Sequence, residues 1–119
     1  MSYLDDRESL QRQSRADARK ERERADQFRK DVQDVMGMPA MRRLLSEFMD
    51  TAGLDRSAYR EDAGAMAFSV GWQDAARWWL DAVREHCPEK ETTMRAEARA
   101  RAKQEAQPGD SSEEDDASS

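Results

Sequence analysis

No isoleucine and no asparagine occur anywhere in this 119-residue chain, and valine appears only at positions 32, 35, 70 and 83. Alanine, in contrast, appears eighteen times. Strand formers are scarce and the best helix former is abundant, which excludes a β-rich fold and predicts helices. The single cysteine, Cys87, excludes an intrachain disulfide and fits a reducing compartment. A zinc site wants about four ligands, and one thiol beside one imidazole, His86, does not supply them. Long apolar runs are also missing. The longest candidate is broken by Asp74 and Arg77, so no bilayer span is expected. The first ten residues, MSYLDDRESL, lack the apolar segment of a secretory signal. No glycine-rich phosphate loop and no repeated histidine occur either.

Charge is what the chain has most of, at 39% of residues against 37% apolar. That apolar share is low for a globular chain. The net charge of −6 argues against a general nucleic-acid binder. Its distribution is uneven. Residues 1–30 carry nine basic and seven acidic side chains, residues 31–88 six and ten, and residues 89–119 five and nine. Residues 5–27 hold no aromatic and only Leu10 as a large aliphatic, and residues 95–119 hold no aliphatic larger than alanine. The apolar side chains gather between Phe28 and Met94. A core drawn from about 65 residues is marginal by surface-to-volume scaling, so stability borrowed from a partner or from self-association is expected.

Helical spacing divides the chain into four segments. A charged, solvated helix runs from about Asp5 to Met36, with an apolar stripe only at its end: Phe28, Val32, Val35 and Met36. Gly37 breaks it and Pro39 suits the first turn of the next helix. From Pro39 to Ala52, the residues Met41, Leu44, Leu45, Phe48, Met49 and Ala52 follow the 3–4 spacing of an amphipathic helix. Gly53 is its expected left-handed stop. Leu54 and Tyr59 in the connector are expected to pack back on the core. Asp62 suits the cap of a third helix to about Cys87, apolar nearly all round through Met66, Phe68, Val70, Trp72, Trp79, Leu80 and Val83. Gly71, costly inside a helix, is expected to permit a close helix–helix approach. Pro88 ends the third helix or starts the next, and a fourth helix is expected from Glu91 to Gln107, with Met94, Ala98 and Ala102 as a narrow stripe. The residues after Pro108-Gly109 are acidic and low in complexity.

The expected architecture is therefore a small all-α bundle of three to four helices. It has a charged, solvated arm (1–27) and a helical core domain (28–97). A fraying helix end (98–107) and a disordered acidic tail (108–119) follow. The expected core is Phe28, Val32, Val35, Leu44, Leu45, Phe48, Met66, Phe68, Gly71, Trp72, Trp79 and Val83.

No constellation here points to catalysis. Adjacent residues on a helix diverge by about 100°, so His86 and Cys87 do not face each other. Both suit a helix end, the imidazole near the negative dipole and the thiol as a small filler. The carboxylates Glu47, Asp50, Asp55, Glu61, Asp62 and Asp74 lack calcium-loop or paired spacing. No catalytic residue, cofactor or metal is expected. Trp78 points away from Trp72 and Trp79 and stands beside Arg77, a pairing typical of interface anchors. Residues 7–30 are arginine-rich, but interleaved acids cancel much of their field, and no apolar heptad seam supports a sustained coiled coil. The methionines suit an adaptable surface as well as a core.

Residues 28–97 resemble a family of small tailed-phage proteins, typified by a protein of a Bordetella podophage and encoded among virion morphogenesis genes. The resemblance lies in Phe28, Pro39, Arg43, Leu44, Asp62, Phe68, Gly71 and Pro88. Met41 stands where the family pattern has glycine, and the tyrosine after Pro88 is missing. The resemblance implies a non-enzymatic virion or head-assembly protein that binds head or portal-region proteins. It would reside in the virion or, during assembly, in the host cytoplasm. A homo-oligomer or symmetric assembly is the expected state, with no membrane contact. Candidate contacts on the exposed side of the second and third helices are Arg42, Arg43, Arg77 and Trp78. The alternatives are a scaffolding or ejected internal protein, and a nucleic-acid-binding regulator acting through the N-terminal helix.

Overall fold

A computed structural model describes residues 3–107. Four helices make up these residues: α1 (Tyr3–Met36), α2 (Pro39–Ala52), α3 (Ala63–His86) and α4 (Pro88–Ala106). The protein is all-α, with no strand among the described residues. The expectation of an acidic tail over 108–119 lies outside them. α3 touches the other three helices, and α2 also touches α1 and α4.

The connections are short and chemically explicit. At the end of α1, the Gly37 N–H donates to the Gln33 and Asp34 carbonyls at 3.1 and 3.2 Å, and the Met38 N–H donates to Val35 at 3.0 Å. Pro39 then opens α2, where its missing N–H costs nothing. Gly53 ends α2 in the left-handed region at φ 67° and ψ 40°. The Gly53 N–H reaches the Asp50 carbonyl and the Leu54 N–H reaches that of Met49, at 3.1 and 3.2 Å. That is the Schellman pattern, with Leu54 packed on the core behind it. Gln73 of α3 clamps the connector by donating to the Gly53 and Arg56 carbonyls at 2.7 and 2.8 Å. The Asp62 carboxylate caps α3 by accepting from the Ala65 N–H at 2.8 Å. A single residue, Cys87, separates α3 from α4. Its N–H donates to Val83 and its carbonyl accepts from Lys90. α4 thus starts at Pro88 rather than Glu91, because proline supplies a first helical turn.

The core is compact and small. It joins Val32 and Met36 of α1 with Leu45, Met49 and Ala52 of α2. α3 adds Ala76, Leu80, Ala82 and Val83; the linking Cys87, and Met94 of α4, close it. Val35, Met41, Phe48, Leu54 and Trp79 pack around it, half-buried. From Leu4 to Asp31 only Ala16 is less than exposed, so most of α1 projects from the core.

Several expected core residues lie outside it. Leu44 is 66% exposed, Phe68 67%, Phe28 38% and Trp72 37%; Met66 is exposed too. Tyr59 is likewise exposed rather than packed back. Gly71 makes no close approach, since a Cβ there would meet nothing within 4 Å. Helix length explains most of these. At 1.5 Å per residue, α2 spans about 21 Å and α3 about 36 Å. The first turns of α3, before the Trp72 contact with Phe48, lie beyond the end of α2 and are almost all exposed. Leu44 has a different cause. The buried arc of α2 runs through Arg42, Leu45, Ser46, Met49 and Ala52, turned by about 60° from the arc that apolar residues alone define. On α4, Met94 is buried, Ala98 half-buried and Ala102 exposed.

Leu80→Ala is expected to cost about 2–5 kcal/mol, by loss of burial and creation of a cavity. Leu44→Ala is expected to change stability by no more than about 0.5 kcal/mol. Gly53→Ala should cost about 1 kcal/mol, because alanine is strained at positive φ. Urea denaturation followed by circular dichroism measures all three.

Candidate protein-interaction face

Arg42 was expected on a contact surface, and the structure buries it instead. Its Nη1 donates to the Met36 carbonyl at 2.9 Å, the last carbonyl of α1. Its Nε and Nη2 donate to the two carboxylate oxygens of Glu97 on α4 at 2.7 and 3.2 Å. One guanidinium thus ties three helices, in the bidentate geometry that favours arginine over lysine. Met36 is fully buried, and its carbonyl would otherwise lack a partner at the helix end. The hydrogen bond from Arg42 holds the Glu97 carboxyl below the usual carboxylate range, against burial, which pushes it up. A second knot joins α3 to α4. Arg84 donates to Glu91 at 2.6 and 3.0 Å, and Arg95 adds a bond at 2.9 Å. The Arg84 hydrogen bond is the main cause that lowers the Glu91 carboxyl, again with burial opposing.

The other predicted contact residues are on the surface. Arg43 is exposed on α2. Arg77 is exposed and bonded to Asp74 one turn earlier at 3.3 Å. Trp78 is 55% exposed, and Phe28 of α1 leans on it with ring centroids 5.8 Å apart. Phe28 also meets the His86 ring edge-on at 5.6 Å. Trp79 stands perpendicular to Trp78 at 5.2 Å. Phe28 is therefore the outer lid of an aromatic cluster between α1 and α3 rather than a core residue. A second cluster lies on the overhang. Trp72 meets Phe48 of α2 at 5.7 Å and Phe68 at 5.9 Å. Phe48, Phe68, Gly71, Trp72 and Ala75 line an open, almost wholly apolar groove. Beside it, Arg56 and Arg60 flank a cleft walled by Phe68 and Trp72.

These clusters belong to one stripe. Phe68, Trp72, Ala75, Trp79, Ala82 and His86 are spaced alternately four and three residues apart along α3. α1 covers the second half of that stripe through Phe28 and Val32. The first half meets α2 only through the Trp72–Phe48 contact and leaves Phe68 exposed. Such an exposed apolar patch is the usual mark of an interaction site. His86 and Cys87 sit at the α3–α4 corner, the imidazole against Phe28 and the thiol buried. Burial is the main cause that pushes the Cys87 thiol above its ordinary value. Among the described residues no group of three or more histidine, cysteine, aspartate or glutamate side chains converges as a metal site. No described helix is long and apolar enough to cross a membrane.

No protein-family model, curated protein or solved structure matches the chain. Sequence reasoning missed Arg42 because its partner is 55 residues away. The available signal was that Arg42 and Ser46 fall one turn apart, flanking Leu45 and Met49.

Glu97 and Glu91 have native carboxyls lower than in the unfolded chain, near 4.3. Their contribution to stability is complete above that value. It is lost as pH falls through the lower native value. The stability difference between wild type and Glu97→Gln is therefore expected to be constant above about pH 5.5 and to shrink below about pH 4. Urea melts over a pH series test this, and a difference independent of pH would contradict it. Cys87 is expected to resist iodoacetamide at neutral pH in the native state and to react on denaturation, since the thiolate is the nucleophile.

Proposed function

We propose that the protein is a non-enzymatic virion or head-assembly component of a tailed phage, binding other head proteins near the portal. The observation that carries the binding role is the apolar groove lined by Phe48 of α2 and by Phe68, Gly71, Trp72 and Ala75 of α3, with Arg56 and Arg60 in the cleft beside it. Aromatic anchors with arginine at the rim are the usual make-up of an energetically important contact. What supports the phage assignment is the residue pattern of 28–97. In this reading Arg43, Trp78 and Phe68 meet the partner. Arg42 holds the helix that presents Arg43.

The projecting arm favours a second reading, in which α1 touches nucleic acid. Nearly every side chain from Leu4 to Asp31 is exposed, and this stretch carries nine basic residues. Binding that weakens steeply with salt would support that reading. No binding at low salt would remove it.

Mass spectrometry of purified particles and procapsids tests the main proposal. The protein is expected in mature virions at a fixed ratio to the major capsid protein. Presence in procapsids alone would indicate a scaffold, and absence from both would overturn the proposal. In infection complementation, Trp78→Ala and Arg43→Ala together are expected to lower particle yield with the circular dichroism spectrum unchanged.

A further inference from the structure

Charges interleaved along α1 are not interleaved in space. Residues 11–30 carry eight basic and four acidic side chains, and the helix sorts them. At 100° per residue, Arg12, Arg15, Arg19, Arg22, Arg29 and Lys30 fall within one arc of about 100°. Of the eight residues on that arc, only Gln11 and Asp26 are not basic. The other twelve positions carry two basic side chains, Lys20 and Arg24, and three acidic ones, Asp17, Glu21 and Glu23. The positive excess of this stretch is therefore confined to one face.

That face is open. Every residue on it is exposed. Val32 and Met36, which dock α1 on the core, lie outside the arc. Among the described residues, Arg29 alone of the six has an ion-pair partner, Asp26 at 3.5 Å. Arg12 donates to the Ser9 hydroxyl at 3.4 Å. Arg15, Arg19, Arg22 and Lys30 present their charge to solvent.

The chemistry of the face selects among anions. It carries no apolar side chain, so it lacks the desolvated centre of a protein–protein contact. A nucleic-acid contact is instead polar and strongly positive. Five of the six cations are arginine, whose planar fork matches phosphate oxygens. From Arg12 to Lys30 they extend over about 27 Å at 1.5 Å per residue, a line of charge to set against a line of phosphates. Residues 5–27 hold no aromatic side chain on which unpaired bases could stack, which favours a duplex over a single strand. The net charge of −6 does not oppose this, because acids outnumber bases only beyond residue 30.

We infer that α1 lies along the phosphate backbone of duplex nucleic acid through this one face, without reading base sequence. This rests on the reading in which α1 touches nucleic acid, and gives that contact its residues and its mode.

Fluorescence anisotropy of the full chain with short labelled duplexes, over a salt series, is the test. Six phosphate contacts predict that log K falls against log salt with a slope of about −5 on DNA. Two DNA duplexes of unrelated sequence and an RNA duplex of equal length should bind within about tenfold of one another, since phosphates carry no sequence. Arg15→Gln, Arg19→Gln and Arg22→Gln together should weaken binding at least about tenfold and make the slope shallower by about three. Glutamine is a good helix former, so helix content by circular dichroism should be unchanged. Arg7→Gln, Lys20→Gln and Arg24→Gln remove the same charge from outside the arc and should weaken binding less than about threefold. No binding at low salt would remove both this inference and the reading it rests on. Binding that the two triple variants weaken alike would overturn this inference alone, as would a wild-type slope shallower than about −3. Displacement by polyglutamate as effective as by unlabelled duplex would assign the face to acidic polypeptides and overturn it too.

Discussion

The ion pair of Arg42 with Glu97 is the constraint on which the rest of the arrangement depends. The core alone is thin, with alanines and a cysteine at several of its buried positions. α1, α2 and α4 meet at one guanidinium that accounts for every donor it commits: to the last carbonyl of α1 and to both oxygens of a carboxylate on α4. Removing one member would leave a buried group without its partner, and such losses cost more than the net gain of forming the pair. The pair also fixes direction. With Arg42 turned inward, Leu45 and Met49 face the core, and Leu44 is turned out to solvent.

Direction in α2 decides what α3 shows. α2 is short, and its Schellman end hands the chain to a connector held by Gln73. α3 is longer by ten residues, so its early turns overhang. The aromatic groove is thus a consequence of unequal helix lengths. The same apolar stripe is core where α1 lies on it and surface where no helix does. The functional proposal draws on that one half-covered stripe.

Local features were legible from sequence. Pro39, Gly53, Asp62 and Pro88 marked helix boundaries because capping and turn chemistry act over a few residues. Val32, Leu45 and Val83 were placed in the core by periodicity and lie there. Leu44, Met66, Phe68 and Trp72 had equally apolar surroundings in sequence and lie outside it. Periodicity reports that a face is apolar, and does not report whether the chain is long enough to cover it. Arg42 shows the converse: a charged residue on the buried arc, satisfied from a distant helix.

The sequence by itself determined an all-α chain of three to four helices, with a charged arm and defined corners, because helix propensity and capping depend on near neighbours. Tertiary structure alone decided which apolar residues become core, that Arg42 is a staple rather than a contact, and that half of α3 stands bare. Burial and ion pairing are settled by groups dozens of residues apart, and only the folded chain brings those groups together.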